Sequence, residues 1–119
     1  MLAKGTTFII HGHIWFNITE PTEQNPYVLC VNFTALDEDC PDDECPISRA
    51  EYAWVKDDYP TTIAFSRAKI WDAGKILRCL KDGTLRKPRQ GNVPHATVLK
   101  VIKVALNARE LSNDLRVMI

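Results

Sequence analysis

No apolar run in this 119-residue chain approaches the roughly 20 residues that cross a bilayer, and none near the amino terminus has the length of a signal segment. The expectation is a cytoplasmic protein with no membrane association, whose cysteines Cys30, Cys40, Cys45 and Cys79 are reduced thiols. In that setting the Asn-x-Thr sequences at Asn17 and Asn32 are not glycosylation sites. Internal repeats and low-complexity stretches are also missing, which excludes a solenoid or a long disordered tail. There is no Cys-x-x-Cys pair and no Asp-x-Asp-x-Asp-Gly order, so neither a zinc ribbon nor a calcium loop is indicated. Cys40 and Cys45 with His11 or His13 form the one set that would surround zinc, and their spacing disfavours it. Neither a metal nor another cofactor is expected.

What is present is an ordinary globular composition, 45% apolar and 25% charged, enough for one core in one domain. Net charge is zero, but unevenly spread. Residues 1–60 carry three basic residues against eleven acids, a net −8, and residues 61–119 carry twelve against four, a net +8. Either the halves present an acidic and a basic region, or they interleave and neutralise each other.

Residues 6–18 are β-branched and aromatic. Phe8, Ile10, Ile14, Phe16 and Ile18 share one parity as the candidate core face, provided no bulge at Gly12 reverses the register. Tyr27–Thr34 is the clearest strand. The acidic run 35–46 reads as an exposed loop, Ser48 and Glu51 have capping-box spacing, and 57–60 is a turn. Thr61–Trp71 reads as one further strand. Asp72 caps a helix over 73–81 that Asp82-Gly83 ends. Asn92 is expected to cap a second helix with Val98, Leu99, Ile102 and Leu106 as its apolar face, and Ser112 opens a last turn. The class is α+β: a strand-rich region over 1–71 forming a small curled antiparallel sheet or SH3-like barrel, then a helical extension over 72–119.

The glycine-led first strand pair (Gly5, then Gly12-His13-Ile14-Trp15), the strand end Val31-Asn32-Phe33-Thr34 and the segment Phe65-Ser66-Arg67-Ala68 resemble the MazF/PemK-like toxins. The resemblance spans roughly residues 5–70. It implies an SH3-like barrel and an endoribonuclease of a toxin–antitoxin pair, usually a homodimer, with RNA and a cognate antitoxin as partners. The family's site pairs an arginine near the second strand with a threonine or serine at the end of the third. Thr34 matches the second; no arginine precedes Arg49, and His13 stands where the first is expected.

Metal-free RNA cleavage needs a base for the 2′-hydroxyl, an acid for the leaving oxygen and positive charge on the phosphate. His13 is the candidate acid or base, Thr34 the positioning hydroxyl and Arg67 the phosphate partner. Arg86, Lys87 and Arg89 are further candidates for phosphate, Trp15 for stacking on a base, and Asn32 for an RNA contact. The alternative is a non-catalytic module that binds a partner protein through the acidic loop Asp37–Glu44.

Overall fold

The computed structural model describes the whole chain, Met1–Ile119. His11 (φ 50°) and Gly12 (φ 80°) both adopt left-handed backbone and form the two-residue turn between β1 (Thr7–Ile10) and β2 (His13–Asn17). Ile10 pairs with His13, and Phe8 with Trp15. The turn therefore reverses the alternation. Phe8 and Ile10 share a face with His13, Trp15 and Asn17, while Thr7 and Ile9 share the other with Ile14 and Phe16. This corrects the expected grouping of Phe8 and Ile10 with Ile14 and Phe16.

Parity misleads here because both faces of the sheet are covered. On one face Ile14, Phe16, Ile18, Leu29, Val31, Phe33 and Ile63 pack against Val98, Val101 and Ala105 of α2 (His95–Ala105). On the other, Phe8, Trp15, Val28 and Cys30 pack against Ala73 and Ile76 of α1 (Ala73–Asp82) and against Leu2.

The central strand is β3 (Tyr27–Ala35), with β2 along one edge. Along its other edge run β5 (Thr61–Ile63) and β6 (Lys69–Asp72), end to end. Phe33 pairs with Ile63 but Leu29 with Ile70, so seven residues of the second line oppose four of β3. The three extra residues form a 3-10 turn, Phe65–Arg67. The single strand expected over 61–71 is thus one line interrupted by an excursion. With the short β4 (Pro46–Ile47) beyond β5, the order is β1-β2-β3-β5-β4. β1 and β4 do not pair, so this antiparallel sheet is open rather than closed into a barrel.

Both ends of α1 follow the local signals: Asp72 accepts from the Lys75 N–H, and Gly83 takes the left-handed conformation after it. Ser112 caps α3 (Asn113–Arg116) as expected. Asn92 does not cap α2. Its Oδ1 accepts from the Thr7 N–H at 3.2 Å, tying the preceding loop to the edge of β1. The face of α2 also differs from expectation: Thr97, Val98, Val101 and Ala105 are buried, whereas Leu99 and Leu106 are about half exposed. The helix is apolar on nearly every side, so its pattern cannot select the stripe. Gly5 (φ 83°) helps select it, because a Cβ there would lie 2.8 Å from Val98 Cγ2.

The oppositely charged halves do interleave. Arg109 pairs with Asp43 at 2.6 Å and Glu44 at 2.8 Å, and Lys100 with Glu51 at 2.8 Å. No helix is long and apolar enough to cross a membrane.

Candidate functional site

The polar end of β3 begins where its apolar side chains stop on the α1 side. Val28 and Cys30 are core; Asn32 and Thr34 follow on the same face. Beside them the 3-10 turn leaves the sheet and brings Ser66 and Arg67 over that end. The acidic loop closes the other side: Asp42, nearly fully buried, accepts from the Ser66 N–H at 3.1 Å and from its hydroxyl at 2.5 Å. A carboxylate bonded twice in this way fixes both the loop and the turn. Between them lies a cavity of about 270 Å³ lined by Thr34, Asp37, Asp39, Cys40, Ser66 and Arg67, among others.

Thr34 and Arg67 are therefore brought together, with Ser66 as a second hydroxyl. His13 is exposed and does not line the cavity. The β2–β3 register does carry it toward Thr34. Trp15 pairs with Asn32, so two residues further along His13 falls on the face and at the end of the sheet that hold Thr34.

Asn32 is 1% exposed, and neither its amide nitrogen nor its oxygen has a hydrogen-bond partner. Its backbone oxygen accepts from Ala64, itself a cavity residue. Trp15 is buried edge-on against Trp71, with ring centroids 4.8 Å apart, so it offers no face for stacking on a base. That expectation is corrected: the reversed parity of the hairpin turns Trp15 into the smaller core.

Arg86, Lys87 and Arg89 lie elsewhere. Arg86 O accepts from the Ile9 N–H at 2.9 Å, and Lys87 donates to Asn92, so the loop seals the free edge of β1. Partial burial pushes the Lys87 ammonium pKa down. Three strand spacings of roughly 4.8 Å, about 14 Å, separate the Arg86 segment from β3, so the basic loop is no part of the Thr34 cavity.

The cysteines do not gather into a site, and no cluster of three or more His, Cys, Asp or Glu side chains is arranged to hold a metal. Burial pushes the Cys30 thiol up to about 12 and, against the nearby Lys100, the Cys45 thiol up to about 11, so both stay protonated and unreactive. Cys40 donates to Asp42 O.

The acidic loop is only partly free. Asp42, Asp43 and Glu44 are engaged, whereas Asp37, Glu38 and Asp39 are exposed and in no ion pair. The sequence reading missed two exposed aromatic residues, Trp54 and Tyr59, which line a second cleft at this end of the sheet. The signal available was an aromatic residue within a polar turn, a poor place for a core side chain.

Neither a protein-family model, a curated protein nor a solved structure matches this chain.

Proposed function

We propose that the chain is a MazF/PemK-like toxin-type domain that binds single-stranded RNA at the end of β3 and cleaves it without a metal. The observation that carries this is that Thr34 and Arg67, far apart in sequence, line one cavity with Ser66. The 2′-oxygen attacks phosphorus and gives its proton to a carboxylate of the cavity, Asp37 or Asp39. The bond from phosphorus to the 5′-oxygen breaks, and His13 at the same end of the sheet supplies that oxygen's proton. Arg67 and the Thr34 hydroxyl hold the charged phosphoryl oxygens. The product is a 2′,3′-cyclic phosphate. With no arginine where the family has one, Arg67 is the cavity's one guanidinium.

Incubation of the protein with mixed-sequence RNA in EDTA tests this. Wild type leaves cyclic-phosphate ends, Arg67→Ala and Thr34→Val lower the rate at least about a hundredfold, and His13→Ala lowers it less. Intact RNA with folded wild type removes the nuclease; if Arg67-dependent binding persists, RNA binding alone remains.

The free acids Asp37, Glu38 and Asp39 favour a second reading, a module that docks a basic partner protein at this same loop. It requires binding of an arginine-rich peptide that vanishes when the three become Asn, Gln and Asn, with RNA left unbound.

A further inference from the structure

The cavity around Thr34 is poor in positive charge. Three unpaired carboxylates ride on its loop, and Arg67 is its single cation. A polyanion gains little there from counterion release, so an RNA strand that binds must draw its affinity from other contacts.

The other face of the same sheet end offers them. A cleft of about 250 Å³ is lined by Trp54, Lys56, Tyr59 and Thr61. Trp54 is 37% and Tyr59 60% exposed, although large aromatic side chains in a small domain are ordinarily covered. Trp54 is anchored through its ring and Tyr59 through its backbone. The Trp54 ring lies against Phe33, with centroids 5.9 Å apart, and Phe33 is stacked on the buried Tyr52 at 5.0 Å and 4°. Two tight turns hold the segment, from Val55 N–H to Tyr52 O at 3.0 Å and from Tyr59 N–H to Lys56 O at 3.3 Å. The Leu36 N–H donates to Pro60 O, joining the loop to β3. Thr61 pairs with Ala35, and Ala35 lines the Thr34 cavity, so the two recesses lie back to back across one residue pair.

We propose that the Trp54–Tyr59 cleft is a stacking site for an unpaired nucleobase of single-stranded RNA, with Lys56 on the adjoining phosphate. This deepens the RNA-binding reading and rests on it. Exposed aromatic faces with one ammonium at the rim suit a flat π-system carrying a negative linkage, and every base has such a face. A strand draped over the end of β3 places a base here while its neighbouring phosphate enters the Thr34–Arg67 cavity.

The test is binding of a short labelled RNA and of an equal-length abasic ribose–phosphate strand to the full chain. Wild type, Tyr59→Ala, Trp54→Leu and Arg67→Ala are compared, with circular dichroism confirming the fold. Tyr59→Ala is expected to weaken RNA binding about tenfold. Wild type should lose about as much on the abasic strand, where Tyr59→Ala costs nothing more. Salt dependence should be shallow, with a slope of about one or two phosphates. Unchanged RNA affinity in both aromatic variants, with Arg67→Ala still weakening it, overturns the stacking site and leaves the RNA reading standing. Loss of a proline-rich peptide rather than RNA on Tyr59→Ala overturns it in favour of a peptide groove. If wild type binds no RNA, both fall.

Discussion

β3 serves two faces that are built differently. Toward α2 the side chains Leu29, Val31 and Phe33 are buried in the larger core, between an exposed Tyr27 and a partly buried Ala35 at the two ends of the strand. Toward α1 they are Val28 and Cys30, then Asn32 and Thr34. The first face is apolar and buried from Leu29 to Phe33, where α2 and the segment around Tyr52 and Val55 cover it. On the second, α1 covers only the beginning; the 3-10 turn and the acidic loop cover the rest with polar groups. The site lies where the smaller core gives out, so it can change without removing what holds the sheet together.

The largest expected effect breaks the larger face. Phe33 packs on Phe16, Tyr52 and Trp54, and truncation to alanine leaves a cavity that a strand fixed on both edges cannot collapse. Phe33→Ala should cost about 3–5 kcal/mol in urea unfolding, and it should free the Trp54 ring, visible as a change in tryptophan emission. A loss below about 1 kcal/mol would mean that the stability does not reside in this face.

The smaller face carries the opposite sign at one position. Two asparagines are buried there. Asn17 is fully used: its Oδ1 accepts from the Thr6 N–H, and its Nδ2 donates to Ala3 O and Thr19 O. Asn32 uses neither amide atom. A buried amide without partners costs about 1–3 kcal/mol, so Asn32→Leu, close in volume, should raise stability by about 1 kcal/mol, while Asn17→Leu should lower it by more. Urea midpoints at constant slope would decide. Equal losses in the two variants would mean that Asn32 contributes to folding as Asn17 does. A stability gain at Asn32 would mark a polar group kept beside the site at a cost to the fold.

This contrast also explains which features were legible in the sequence. Strong local signals survived: the long strand 27–34, the Asp72 and Ser112 caps, the Gly83 stop, the α+β class. The pairing of faces in the first hairpin did not, because Phe8, Ile9, Ile10, Ile14, Trp15 and Phe16 are apolar in both parities and only the His11–Gly12 turn chooses between them. The α2 stripe failed likewise, with a close approach at Gly5 deciding. Thr34 and Arg67 were found through a resemblance of short motifs, but the excursion that brings them together depends on Asp42 reaching Ser66, a contact with no periodic signature. Tyr59 was passed over as a residue of the 57–60 turn and Trp54 was given no role, because the stacking role went to Trp15, whose burial against Trp71 has no local signature.

The smallest effect probes the rim of the larger face, where α2 is fastened to the turn after β4. Thr97 donates to Glu51 O, Lys100 donates to Pro46 O, and Lys100 pairs with the Glu51 carboxylate. Burial acts to raise the Glu51 pKa, but hydrogen bonds from Lys100 and the Ser48 N–H outweigh it and hold the carboxyl below its ordinary value. A folded-state pKa below the unfolded one adds stability above the unfolded value, about 4.3 for glutamate, and that stability disappears as pH falls through the folded value. Both partners are about one-third exposed, so solvent screening limits the pair to about 0.5 kcal/mol. Glu51→Gln should therefore be less stable than wild type by about that amount at pH 7, and the two unfolding curves should merge below the folded-state pKa. A deficit that persists unchanged into acid would assign the effect to hydrogen-bond geometry at position 51 rather than to charge. The rim would then hold α2 by shape and hydrogen bonding, as the interior of that face does by packing.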